Sequence, residues 1–215
     1  MTERETAPPP PARGKGERTR ERLLDAAYDA IIQKGFSGTS IDELVEITGI
    51  TKSGFFYHFK DKGDLARQLL ARFLVEDDAV LDELTVRARQ SAEDPLARFV
   101  LFINLYAEML DEMEALHPGC LVAAIVYQEQ AFDREVRRLI GDAALRWRLR
   151  LRGWFDAIDT RYRTVMPLDP DALADGFSAV IEGAIVLGRA LRDPGLVGRQ
   201  LRLFRDMVKA SYGVA

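Results

Sequence analysis

From Glu17 almost to the end of the chain, apolar positions return every three or four residues, the period of a helix that buries one face. Leu23, Leu24, Ala27, Ile31 and Ile32 mark the first stripe, and Gly35 is placed to stop it. A short second stripe follows in "TSIDELVEITG". Ser40 is its expected N-cap, Glu43 completes a capping box three residues later, and Ile41, Leu44, Val45 and Ile47 carry the apolar face. Gly49 ends this element, and Thr51 caps a third, "KSGFFYHF". "KDKGDLARQLLARFLVEDDAVLDELTVRARQ" then reads as one long amphipathic helix, up to Asp94-Pro95. Pro and Gly divide the remainder into helices at 96–116, 120–131, 134–162, 170–192 and 195–212. In the 134–162 helix, Leu139, Ala143, Trp147, Leu151, Trp154 and Ile158 share one face. No strand and no internal repeat emerges. The pattern predicts an all-α chain of about nine helices.

Composition adds to this without disturbing it. With 47% hydrophobic and 30% charged residues, a chain of 215 residues can bury a full core. A net charge of −4 gives the whole molecule no nucleic-acid signature, so any basic surface must be local. One such place exists. After an extended arm over residues 1–16 containing Pro8–Pro11, residues 13–22 hold Arg13, Lys15, Arg18, Arg20 and Arg22 against Glu17 and Glu21. The lone cysteine, Cys120, excludes an intramolecular disulfide and fits a reducing cytoplasm. No apolar run is long enough for a membrane span, and the first residues lack the apolar region of a leader. Two histidines, His58 and His117, with no HExxH, paired-cysteine site, GxGxxG or P-loop, argue against an enzyme and against any metal or cofactor. The acidic clusters Glu76-Asp77-Asp78 and Asp111-Glu112-Glu114 read as solvated helix faces.

Two short helices joined at a glycine, the second capped by a threonine, form a helix-turn-helix, in which the second helix enters the major groove while the first braces it. Helical spacing turns Phe55 and Phe59 inward against Leu44 and Val45, and leaves Lys52, Ser53, Phe56 and Tyr57 outside. Thr39, Ser40 and the free N–H groups that follow them are suited to a phosphate. Arg13 and Lys15 can lie along the backbone of the duplex.

Residues 17–65, with "AA" in the first helix, "KGF-GTSI" entering the second, "GITKS" at the turn and "YHFKDK-DL" leading onward, resemble the N-terminal domain of the tetracycline-repressor (TetR) family of bacterial transcription regulators. The resemblance implies a homodimer in which residues 17–63 read DNA and residues 64–215 hold a small-molecule effector and the dimer contact. It implies further that Thr51, Lys52, Ser53 and Phe56 face bases or their flanks, and that Thr39, Ser40, Tyr57, His58 and Lys62 meet phosphates. Two positions depart from the family pattern: Phe56 stands where most members carry tyrosine, and Gly63 where an acidic residue is usual. The first loses a hydroxyl and favours apolar contact, such as with a thymine methyl.

In the larger part, Phe177, Ile181, Ala184, Ile185 and Gly188, followed by Leu201, Phe204 and Val208, are the expected dimer surface, the alternative being packing inside one subunit. Phe102, Tyr106, Cys120, Tyr127, Trp147, Trp154 and Phe177 are the expected effector pocket, apolar and aromatic with a few polar anchors; core packing is again the alternative. Cys120 opens a helix, where a thiol can become reactive, and its "GCL" setting resembles a subgroup with members that sense electrophiles. The functional expectation is a dimeric repressor released from a palindromic DNA operator by a small lipophilic molecule. A thiol-sensing repressor, an effector-free DNA binder and an activator are the alternatives.

Overall fold

The computed structural model describes residues 14–113, 116–128, 132, 134–165 and 168–214; Pro8–Pro11, Arg13 and Glu114 lie outside them. The described residues form nine helices and no strand. These are α1 (Lys15–Gly38), α2 (Ile41–Thr48), α3 (Lys52–His58), α4 (Lys62–Ser91), α5 (Pro95–Asp111), α6 (Leu121–Val126), α7 (Arg134–Asp159), α8 (Pro170–Leu191) and α9 (Leu196–Ser211). Among them no helix is long and apolar enough to cross a membrane.

Helix starts follow the caps written in the sequence. Ser40, Thr51, Asp61, Asp94 and Asp169 each accept a backbone N–H from the first turn they precede, and Pro95 and Pro170 sit where a missing N–H costs nothing. Gly35 interrupts α1 with φ +77°, and a Cβ at this position would collide with the Gln128 amide. The residues after it turn Phe36 into the core, where its ring lies 4.2 Å from that of Phe132.

Two apolar cores result. The first joins α1, α2 and α3 to the N-terminal half of α4, to α6 and to the start of α7. The second joins the C-terminal half of α4 to α5, α8, α9 and the end of α7. Helix α4 belongs to both. A polar network reinforces its grip on α1: Arg72 reaches Glu21 at 2.9 Å and Asp25 at 2.8 Å, while Arg20 donates to Gln68 at 2.7 and 3.2 Å.

The residues expected at a dimer contact are not on the surface of the chain. Phe177, Ile181, Ala184, Ile185, Gly188, Leu201, Phe204 and Val208 are all buried within the one chain. They are packed where α8 and α9 meet each other and α5. The apolar residues that α8 and α9 leave outside are Val186, Leu187, Leu191, Leu203 and Met207. Helix α8 is apolar on more than one face, and the more continuous face packs inside the chain.

Candidate nucleic-acid interface and ligand cavity

Gly49 closes α2 in the left-handed region at φ +66°, and the Thr51 hydroxyl accepts the Gly54 N–H at 3.1 Å, so α3 leaves the turn at a fixed angle. Phe55 and Phe59 are closed off from solvent, their rings 5.6 Å apart in the core that α1, α2 and α4 share. Phe56 keeps 52% of its surface exposed and Tyr57 82%, both on the outer side of α3. Lys15, Ser40, Thr51, Lys52 and Ser53 are exposed too. His58 is half-buried, edge-on to Tyr57 at 4.9 Å. This outer surface has the form of a reading helix with a braced inner side.

Several of its cations already have partners. Lys52 pairs with Asp42 of α2 at 2.6 Å, a fully solvated contact. Lys62 is turned inward, its ammonium 4.1 Å from the centre of the Phe36 ring, and desolvation lowers its pKa; in this conformation it does not meet a phosphate as expected. Thr39 also departs from expectation: it is buried, its hydroxyl donates to the Gly35 carbonyl at 3.0 Å and its N–H to Phe36, so it seals the end of α1. Arg20 and Arg22 bind Gln68, Glu21 and the Thr48 carbonyl, which removes two charges from the expected basic strip. Lys60, which the sequence reading passed over, is exposed just beyond α3.

A cavity of about 760 Å³ lies between α4, α5, α7 and α8, closed on one side by the segment leading into α6. Of the expected pocket residues it takes Tyr106, Cys120 and Trp147. Phe102 and Phe177 are instead fully buried in the second core, Trp154 is packed beside them facing a separate groove, and Tyr127 is 84% exposed. Ile181 and Ile185, expected at the dimer contact, line the cavity. Asp77 and Glu182, both unforeseen, face it as well. Asp77 is therefore not part of a solvated face. A signal for it existed: Leu74, Asp77, Leu81 and Leu84 follow the helical step that carries the buried stripe of α4.

Burial pushes the Asp77 carboxyl up to about 6; the Trp147 indole, donating to it, opposes this in part. Burial also pushes the Cys120 thiol up to about 12, and the adjacent Glu182 carboxylate adds to the rise. The N–H groups of Val122 and Ala123 act in the other direction, the effect expected of a helix start, and are outweighed. At neutral pH Cys120 is a protonated, part-buried thiol, which removes the basis for thiol sensing.

The wall of the cavity continues into the reading head. His117, Pro118 and Gly119 line it, and Gly119 packs on Ile32 of α1. Arg189 of α8 donates to the Pro118 carbonyl at 2.7 Å. Past the end of α6, Gln128 accepts the Ser37 N–H at 2.8 Å.

Comparison with known proteins agrees with this arrangement. The family model for bacterial regulatory proteins of the tetR family matches residues 23–69. The transcriptional regulator AcuR of Cereibacter sphaeroides is 26% identical over 169 residues, 77% of this chain and 74% of AcuR. The regulator AcrR of Shigella flexneri is 36% identical over 55 residues, 26% of each chain. Among solved structures, a TetR-family regulator from Agrobacterium tumefaciens superimposes with a TM-score of 0.76 at 21% identity, covering 90% of this chain and 98% of its own. The regulatory protein TetR from Rhodobacter sphaeroides does so at 0.73 and 24%, covering 87% and 97%. At such identities the structures speak for the fold alone; the sequence matches and the helix-turn-helix carry the rest. Residues 23–69 carry the DNA-binding domain of the TetR family of bacterial transcriptional regulators, and the chain shares the fold of that family's solved members.

Proposed function

We propose that the chain is a homodimeric repressor that leaves a palindromic operator when a small, largely apolar molecule enters the cavity. The observation that carries this reading is the continuity of the cavity wall with the reading head: His117–Gly119 border the cavity, and the same segment leads through α6 to Gln128 on Ser37. A ligand that displaces this wall moves a contact of α1, and α4, which both borders the cavity and belongs to the head's core, moves with it. A change in the angle of α4 spreads the paired heads beyond the spacing of one helical turn, roughly 34 Å. Residues 17–63 then serve as the DNA-reading unit and residues 64–215 as the effector and dimer unit. Lys15, Ser40, Thr51, Lys52, Ser53, Phe56, Tyr57 and His58 form the DNA contact. Val186, Leu187, Leu191, Leu203 and Met207 supply an apolar patch for the dimer.

Selection of bound duplexes from a random pool tests the first half. An inverted repeat with half-sites one turn apart is expected; enrichment of a single half-site or of no sequence would refute the dimeric reading. Titration of small molecules against that complex tests the second half, with release as the expected outcome. Transcription from a template carrying the selected site fixes the sign, and stimulation would replace repressor by activator.

A further inference from the structure

Asp77 and Glu182 face the cavity without a cation. The two arginines on its wall are paired with carboxylates: both oxygens of Asp175 hold Arg148 at 2.7 Å, and Glu21 and Asp25 hold one terminal nitrogen of Arg72, whose Nε makes no hydrogen bond and lies 3.7 Å from Glu76. Arg150, which acts on Asp77 through its field, is bound to Asp78 at 3.1 Å and Asp82 at 2.6 Å. His117 is held below its ordinary pKa by burial and by Arg189, and its Nδ1 accepts the Gly119 N–H. Among the described residues neither Asp77 nor Glu182 has an ion-pair partner. Their neighbours are neutral donors, the Trp147 indole and the Cys120 thiol.

A second observation concerns the same cavity. Tyr106 lines it although only 8% of the residue is exposed, and among the described residues its hydroxyl has no hydrogen-bond partner. Asp77 and Glu182 both oppose its ionisation, so the field of each carboxylate reaches this hydroxyl. A hydroxyl that opens on the cavity and two half-buried carboxylates without cationic partners are groups that a bound molecule can complete. Tyr28, Phe73 and Trp147 line the remaining wall with aromatic surface.

We propose that the cavity takes an organic cation, an amine or quaternary ammonium on an apolar body, with its charge between Asp77 and Glu182. This rests on the effector reading above and names the ligand class it requires. The Tyr106, Tyr28 and Trp147 rings offer faces to the cation, and an amine can also donate to the Tyr106 oxygen. A carboxylate ligand meets two like charges and two arginines whose charge is already matched by carboxylates of the chain. The cavity, at about 760 Å³, is of a size that encloses a drug-sized molecule.

The full chain on its selected operator is the material for the test, with 4-tert-butylbenzyltrimethylammonium as probe and 4-tert-butylbenzyl alcohol and 4-tert-butylphenylacetate as neutral and anionic counterparts. Calorimetry is expected to show the cation binding once per chain, at least tenfold more weakly in Asp77→Asn and in Glu182→Gln, and neither counterpart binding. Circular dichroism verifies the fold of each variant, and either alone suffices if the other fails to fold. Absence of cation binding, equal binding of a counterpart, or indifference to both substitutions would overturn the assignment. Cation binding with the expected losses but unchanged DNA affinity upholds the site and refutes the effector reading. Release of DNA by the alcohol or the phenylacetate through this cavity does the reverse.

Discussion

Phe55 and Phe56 are adjacent in the sequence, yet one is sealed in the core and the other is half exposed, so truncating α3 on its two sides tests different things. Phe59, on the inner side with Phe55, is expected to cost about 3–5 kcal/mol as Phe59→Ala, a large share of a typical domain's stability. Phe56→Ala should leave the melting temperature nearly unchanged and weaken operator binding by about 1–3 kcal/mol if its ring meets a base. Equal unfolding of the two variants would contradict the rotation of α3 described above. Asp77 makes a pH-dependent prediction. Its folded pKa, about 6 against an ordinary 3.8, means that it ionises less readily in the folded chain. Its favourable contribution is complete below the ordinary value and lost as pH rises through about 6. Asp77→Asn should therefore raise the melting temperature at neutral pH and much less in mild acid; an equal effect at both would refute the shift. The division of α3 was legible because period and spacing assign its faces. Whether an aromatic meets a helix or a void was not. Phe102 and Tyr106 lie on the same helix stripe, yet one is packed shut and the other opens on the cavity.

At the scale of elements, the caps were the most readable features. Ser40, Thr51 and Asp94 begin helices through local bonds that need nothing distant. Thr51→Ala removes the bond that sets the start of α3, and a loss of about 1 kcal/mol in unfolding experiments is expected. What the sequence concealed was competition between faces. Helix α8 has apolar residues inward at Phe177 and Ile181 and outward at Leu187 and Leu191, and periodicity does not rank them. The expected ends of α5 and α6 lay too far along the chain: α5 stops at Asp111 and α6 spans Leu121–Val126, and between them Met113 and His117–Cys120 serve as cavity wall. Gln128, beyond α6, is the element-scale test of coupling. Gln128→Ala should leave ligand affinity unaltered while reducing ligand-driven release of DNA; undiminished release would assign transmission to α4 alone.

For the whole molecule, the exposed apolar residues of α8 and α9 make assembly measurable. Leu187→Asp combined with Leu203→Asp places charge on surface that the fold itself does not bury. Sedimentation is expected to show a monomer of unchanged helical content that no longer holds the full operator. A persistent dimer would move the contact elsewhere. The charge of the molecule also takes a different meaning once folded. Between positions 14 and 62 there are eight basic and eight acidic residues, so attraction to DNA depends on placement and not on net charge.

The Lys52–Asp42 pair has a consequence for how such a head searches a genome. Where Lys52 meets a backbone phosphate of an arbitrary duplex, it must give up the Asp42 carboxylate, so that contact exchanges one anion for another. Such an exchange gains little and frees fewer counterions, and a weaker hold on unrelated sequence is expected from it. Removing the surrogate by Asp42→Asn should steepen the dependence of log affinity on log salt by about one and lengthen dwell times on unrelated DNA. Asp42 would thus act as a built-in lubricant of the search: a residue that touches no base and still contributes to finding the right one.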